Sequence, residues 1–582
     1  LHTTMALHRI AKLGHASGGL QPTAKYEPVL GMLLARLDAD LSAERLDGDA
    51  LAIHAWSLAM LQTVVAPDLD RIVPKLASQA QRRLAGMRTQ SCSNLMWAFS
   101  PFHASCEGQE TASASILERS AAQLLARSRE LAPQGLANVH WALGTLAKKH
   151  EPALCSLALE ACTRAKELNA TDLSSFMWTS ARVSYCMPVH SELLPVLATE
   201  ASAKVAHFTT RQLSNSMWAM SPGLQGNTGC SLMVPLTTEA VRRATSLKPA
   251  DVVGICWALA AVAMQNQSIE ITRIATEARK SCQQFTKHGF ATVLWALAVL
   301  SETWDAGGKI LMLQETSSRL QEFDSPQLTR ITWSLAVRQH MQPWFMPALS
   351  RQACQALSTF GPQDLSNISW AFATIQHTDH CPLTSAIAVA ATQLLAESAP
   401  QGLASLAWAM ATLRCQDLAC ATALSRESAK RASEFQPPDL AIFAWAQATC
   451  QEQGEMLASS VRVQSLKRLH RFAAQDLSNL IWALATLSVE DPLLRRGLAA
   501  ESRRKLGQFS VQHLCNVTWA LAALVWRVRP GRGKDALPVA EALCTEIGTR
   551  ISTVEPQGLA ATAWALANWT CRCESWKHQR EK

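Results

Sequence analysis

Tryptophan recurs through the 582-residue chain at a nearly constant interval, and that interval limits the fold more than any other feature of the sequence. Fourteen of the 19 tryptophans share one local pattern: Trp56, Trp97, Trp141, Trp178, Trp218, Trp257, Trp295, Trp333, Trp370, Trp408, Trp445, Trp482, Trp519 and Trp564. Ten of the thirteen intervals between them are 37 to 40 residues, and the others are 41, 44 and 45. The clearest copies are Gln363-Asp364-Leu365-Ser366-Asn367 leading to Trp370 and Gln475-Asp476-Leu477-Ser478-Asn479 leading to Trp482. A self-similar period of this length marks a stacked array of supersecondary units rather than several separate domains.

Each unit reads as a pair of helices. In the first, apolar residues fall at Trp−5, Trp−2, Trp+2 and Trp+5, as in Leu477, Leu480, Leu484 and Leu487, which places them on one helix face. A Pro often opens that helix (Pro326, Pro362, Pro438), where its missing N–H costs nothing. The second helix begins at breaks such as Asp491-Pro492, runs to about Leu506, and ends before Phe509-Ser510. Such hairpins cannot bury their apolar faces alone, so they stack. The expected fold is all-α: a right-handed-type α-solenoid, a superhelix of about 14 helical-hairpin repeats of 37–40 residues. Residues 46–582 form one solenoid, preceded by an N-terminal segment over 1–45 that combines a transit-peptide remnant with a capping helix. Residues 1–26 contain no acid and carry Arg9, Lys12 and Lys25, the composition of a targeting segment.

Composition narrows the function. The net charge is +8, too small to establish nucleic-acid binding and compatible with it. No long uninterrupted apolar run predicts a transmembrane helix. The 17 cysteines include no CxxC pair, and no metal or cofactor is expected. The 16 histidines are dispersed, without HExxH or GxSxG, so the chain reads as a non-enzyme that takes no small-molecule substrate.

An extended modular surface suits an extended partner, and two rows of residues point to single-stranded RNA. The first is basic and stands at Trp−14: Arg83, Arg127, Arg164, Lys204, Arg243, Arg319, Arg431, Arg468, Lys505 and Arg550. One cation per unit could track phosphates. In seven of these ten, a Glu four residues earlier (Glu160, Glu200, Glu239, Glu315, Glu427, Glu501, Glu546) makes a helix-surface ion pair an equally good reading. The second row stands at Trp−3, where polar residues vary from unit to unit: Asn94, Asn138, Ser175, Asn215, Thr292, Arg330, Asn367, Ser405, Asn479 and Asn516. A polar position that varies can encode a base per unit, whereas an invariant one cannot. Gln at Trp−7 and Thr at Trp+4 flank it on the helical wheel; a structural ladder of amides is the other reading. The basic loop Arg527, Arg529, Arg532 and Lys534 adds four candidate phosphate ligands in eight residues. The tryptophan itself, set between small residues, reads as core packing rather than as a stacking platform.

The phrases Phe360-Gly361-Pro362-Gln363-Asp364-Leu365-Ser366-Asn367-Ile368-Ser369-Trp370-Ala371 and Gln475-Asp476-Leu477-Ser478-Asn479-Leu480-Ile481-Trp482-Ala483 resemble the heptatricopeptide repeat. That is a 37-residue helical-pair repeat related to octotricopeptide repeats and to the helical region of FAST-kinase-like proteins. The resemblance spans roughly residues 46–569. It implies an organellar RNA-binding protein, mitochondrial or alternatively plastid, that acts on mRNA or rRNA in RNA stability, processing or ribosome assembly, with ribosomal proteins as further partners. Such arrays often end in a RAP domain, and none is expected here. The competing readings are a protein scaffold of the HEAT or armadillo type and a structural subunit of a mitochondrial ribosome.

Overall fold

The computed structural model describes residues 2–578 apart from 17–26, 106–109, 146–150, 184–188, 224–226, 263–267, 301–305, 340, 341, 343, 376–381, 416, 451–454, 490 and 527–536. Its described residues form 29 α-helices joined by turns and short 3-10 helices, with no strand among them. The all-α solenoid expected from the period is what the chain builds. No helix among the described residues is long and apolar enough to cross a membrane.

Two compact halves can be distinguished, one of residues 1–285 with 299–302 and one of 286–298 with 303–582. In the first half, tryptophan-bearing helices Gly48–Met60, Thr89–Ser105, Pro133–Thr145, Ala170–Val183, Thr210–Gly223 and Pro249–Ala261 pack each on the next. In the second half the same succession runs from Ser325–Val337 through Pro362–Thr374, Pro400–Thr412, Pro437–Cys450, Ala474–Thr486 and Val511–Trp526 to Pro556–His578. Companion helices alternate with them, for example Val189–Ala203 in the first half and Pro492–Arg504 in the second. The N-terminal segment contributes a hairpin of its own: His2–Ala16 packs on Gly48–Met60 and buries Leu7 and Ala11.

The core follows the predicted face at Trp−5, Trp−2 and Trp+2, whereas Trp+5 lies at its edge, with Leu487, Ile375 and Leu413 only half-buried. Leu477, Leu480 and Leu484 are buried, as are Leu365, Ile368 and Phe372 at the same positions of another unit. The companion helix departs from the expected boundary in one respect. Pro492–Arg504 ends before Leu506, and Leu506–Gln508 tightens into a 3-10 turn. Residue Trp−10 then turns extended, as Phe509 does at φ −74°, ψ 137°. The same exit recurs at Leu131, Leu168, Phe208, Phe323, Phe360 and Phe472. A helix cannot continue through this geometry, so the chain reverses into the next tryptophan helix, and the large apolar Trp−10 side chain drops into the core. Phe208, Phe435, Phe472 and Phe509 are each fully buried there.

Truncating one of these plugs should be costly and local, because a repeat array is stabilised by neighbour interfaces. Phe472→Ala is expected to destabilise the second half by about 3–5 kcal/mol. The loss should be read as a lower urea midpoint by circular dichroism and as faster amide exchange in the helices around Phe472.

Candidate nucleic-acid interface

The cations at Trp−14 are occupied within the stack. Arg164 donates to the Leu131 carbonyl at 2.9 Å and Lys204 to the Leu168 carbonyl at 2.8 Å. Arg243 donates to Phe208 O at 2.6 Å, Arg431 to Ser398 O at 2.7 Å, Arg468 to Phe435 O at 2.6 Å and Arg550 to Phe509 O at 3.1 Å, while Lys505 reaches Phe472 O. In all seven the acceptor is the Trp−10 carbonyl of the preceding unit. That carbonyl belongs to an extended residue between helices, so no intrahelical N–H reaches it, and a buried backbone acceptor needs a partner. A guanidinium or ammonium from the next unit supplies one with charge assistance. Arg83 donates to Glu44 O at 3.0 Å, two residues before the Trp−10 position of the preceding unit, whereas Arg127 pairs with Glu130 and Arg319 lies between Glu315, Glu322 and the rings of Phe290 and Phe323.

The carboxylate four residues earlier behaves as expected from the helical spacing in six of the seven units; in the seventh, Glu427 stands 3.8 Å from Lys430 and Arg431 pairs with Glu434 at 2.8 Å. Glu160–Arg164 at 3.7 Å, Glu200–Lys204 at 3.6 Å, Glu315–Arg319 at 3.6 Å and Glu501–Lys505 at 3.0 Å are ion pairs, and Glu239–Arg243 and Glu546–Arg550 are closer still. The row therefore holds neighbouring units together, and its donors are largely committed to that role. The basic loop candidates Arg527, Arg529, Arg532 and Lys534 lie outside the described residues.

The tryptophans are not core. Thirteen of the fourteen motif rings are half-buried, and Trp564 is 42% exposed. Their wheel position explains this. At about 100° per residue, the apolar positions Trp−5, Trp−2, Trp+2 and Trp+5 centre roughly 180° from the tryptophan. The rings stand on the opposite side of the helix, wedged between the small residues that let neighbouring helices approach. Successive rings touch. Trp56–Trp97, Trp97–Trp141, Trp178–Trp218 and Trp218–Trp257 in the first half have centroids 5.8–6.5 Å apart and planes tilted by 30–34°. Trp333–Trp370, Trp370–Trp408, Trp445–Trp482 and Trp519–Trp564 in the second half span 6.2–6.4 Å with tilts of 30–37°. His8 continues the ladder at the first unit, 5.0 Å from Trp56. Tilted pairs at this distance are individually favourable by about 0.5–1.5 kcal/mol.

Polar side chains border the ladder. Positions Trp−7, Trp−3 and Trp+4 fall within about 60° of the tryptophan on the wheel. Gln90, Gln134, Gln363, Gln401, Gln475, Gln512 and Gln557 at Trp−7 are exposed. At Trp−3, Asn94, Asn138, Ser175, Asn215, Arg330, Asn367, Ser405, Asn479 and Asn516 are half-buried beside the rings. Thr292 is the exception: it is 3% exposed, donates to His288 O, and accepts from Arg330 at 3.1 Å, so it is covered rather than presented. Three glutamines donate to the asparagine one turn on: Gln90 to Asn94 at 3.1 Å, Gln363 to Asn367 at 3.0 Å and Gln512 to Asn516 at 3.1 Å. Thr374, Thr449 and Thr486 at Trp+4 each donate to the carbonyl of their own motif tryptophan at 2.9 Å.

Two cations on this face escaped the sequence reading. Arg182 is exposed, stands at Trp+4, and lies 5.3 Å from the Trp178 ring centroid. Arg211 stands at Trp−7 with 64% of its side chain exposed. The signal for both was present on the wheel, since each replaces the Thr or Gln usual at its position. Just off the stripe, the carboxylates at Trp−6 start the helix: Asp439 accepts from Gln436 N at 3.2 Å and Asp476 from Ala473 N at 3.3 Å. Burial pushes the carboxyl groups of Asp172, Asp364, Asp439 and Asp476 above the ordinary aspartate value.

No family model matches the chain, and no curated protein matches it. Among solved structures, it is similar to the UNC-45 chaperone described in binding and folding muscle myosin, at 12% identity and a TM-score of 0.33 over 90% of this chain and 75% of that one. It is also similar to a homology model of the full-length AP-3 complex in an intermediate open conformation. There the identity is 9% and the TM-score 0.27, over 91% of this chain and 85% of that one.

The paired carboxylates give a pH signature. The hydrogen bond from Arg242, aided by Arg243, pulls the Glu239 carboxyl down from its ordinary 4.5 to about 2. A carboxyl lowered on folding contributes stability that is complete above its unfolded value and is lost as pH falls through its folded one. Glu239→Gln should therefore lower the thermal midpoint at pH 7, and the gap between variant and parent should close between about pH 4.5 and 2.

Proposed function

We propose that this helical-repeat chain binds single-stranded RNA along the tryptophan face, at about one nucleotide per unit. The observation that carries the reading is the polar-bordered aromatic stripe, repeated with one Trp, one Trp−3 side chain and one Trp−7 side chain per unit. The rings offer a floor rather than slots. A base inserted between two rings would need roughly twice the ~3.4 Å rise of stacked bases, and the tilted rings stand closer than that. Bases lying across the ladder would be splayed apart, with their edges open to the amides and hydroxyls at the border. Recognition of unstacked bases by aromatic contact and edge hydrogen bonds is the usual mode for single-stranded RNA.

Phosphate contact falls to cations on the tryptophan stripe rather than to the Trp−14 row: Arg182 beside the Trp178 ring, Arg211, which is largely exposed although it stands 3.8 Å from Asp251, and Arg330, which also donates to Thr292. In keeping with the heptatricopeptide-repeat resemblance, the setting is an organelle, the mitochondrion ahead of the plastid. The role there is RNA stability, processing or ribosome assembly, without catalysis.

A filter-binding titration of the full chain against single-stranded RNA pools tests the reading. Affinity should fall as salt rises, and the double variant Arg182→Ala, Arg211→Ala should flatten the log–log slope by up to ~0.7 for each phosphate it leaves without a cation. An absence of binding at low salt, or an affinity indifferent to salt, would leave a protein scaffold as the better account.

A further inference from the structure

We infer that the glutamine–asparagine pair at Trp−7 and Trp−3 is a single reading element, and that every unit carrying it selects the same base. The inference rests on the RNA-binding reading above. The units of Trp97, Trp370 and Trp519 hold the pair with the Gln Nε2 bonded to the Asn Oδ1 at 3.0–3.1 Å. The units of Trp141 and Trp482 carry the same two residues at the same spacing, Gln134 with Asn138 and Gln475 with Asn479, here without the bond, which a base edge contacting both amides would complete.

Each amide has one carbonyl oxygen and two N–H donors. The bond between them fixes both side chains one helical turn apart and uses one donor and one acceptor lone pair. What remains is one N–H and the carbonyl of the glutamine and both N–H groups with one lone pair of the asparagine, held in an order set by the helix. Base edges differ in the order of these groups: adenine and cytosine offer an amino donor beside a ring acceptor, and guanine and uracil a carbonyl beside a ring N–H. A fixed pair therefore favours one edge over another, and a good bidentate amide contact discriminates by roughly five- to 150-fold. Because helix, ring and pair repeat together, the preferred base repeats with them.

Neighbouring units supply the contrast. The Trp408 unit has Gln401 with Ser405, and the Trp445 unit has Pro438 with Ile442, so neither can form the pair. At one nucleotide per unit, the segment from Trp370 to Trp519 should read five positions with one base at the first, fourth and fifth and weaker preference between. In the first half, the Trp97 and Trp141 units should read that same base at two adjacent positions.

The alternative is that the pair only stabilises its helix, as Gln–Asn bonds one turn apart do. Selection from a random single-stranded RNA pool with the full chain separates the two, alongside the variant Asn367→Ser, which installs the residue already found in the Trp408 unit. The parent should enrich one base at positions one, four and five of the five. The variant should lose the preference at the first position by roughly five- to 150-fold, and keep it at the fourth and fifth. RNA enriched with different bases at those three positions, or a variant with unchanged preference and only a lower thermal midpoint, would overturn the inference while leaving RNA binding in place. No enrichment of any RNA would remove both.

Discussion

A carbonyl left over at the turn between two helices ties seven pairs of successive units together. The 3-10 exit of each companion helix throws residue Trp−10 into extended backbone, and its C=O faces the following unit with no helical donor available. The next unit answers with an arginine or lysine at Trp−14, held by a residue one turn earlier, Glu501 for Lys505 and Gln464 for Arg468. The side chain of the same Trp−10 residue fills the core beneath. One short segment thus supplies the turn, the plug and the inter-unit bond, and the units follow one another at a nearly constant interval because that segment repeats.

This arrangement decides which surface is left for other work. With the Trp−14 cations engaged along the turns, and the leucine face buried, each tryptophan helix has one stripe uncommitted. On it lie the half-buried ring, the Trp−3 side chain and the Trp−7 glutamine. Ring packs on ring in runs of two or three units, such as Trp56–Trp97–Trp141 and Trp333–Trp370–Trp408, which holds the bordering amides of each run at a regular spacing. Regular spacing of similar but non-identical polar groups is what a partner with its own repeat can exploit.

Much of this was legible in the residues. The 37–40-residue period, the two helices per unit, the buried Leu477, Leu480 and Leu484, and the Glu-to-Arg pairs all follow from spacing along a helix, which sequence reports directly. The tryptophan was misjudged because Ala on either side suits a core residue and a ridge residue equally; its place opposite the leucines on the wheel was the deciding sign. The inter-unit bonds were not legible, because the acceptor of Arg468 is a main-chain carbonyl 33 residues away. No side-chain pattern marks a carbonyl, so those cations looked available. Arg182 and Arg211 are the converse case: each is the single arginine at its position along the array, so no repeating row marks it in the sequence.

The central claim is that the tryptophan face, not the row of turn cations, meets the partner. Ultraviolet crosslinking of single-stranded RNA to the full chain, followed by mapping of the crosslinked peptides, addresses it most directly. Crosslinks should fall on the tryptophan helices between Trp−7 and Trp+4, in several units of each half. Crosslinks concentrated on the companion helices and the turns around Arg164, Arg243 and Arg468, with the tryptophan helices unmarked, would contradict it.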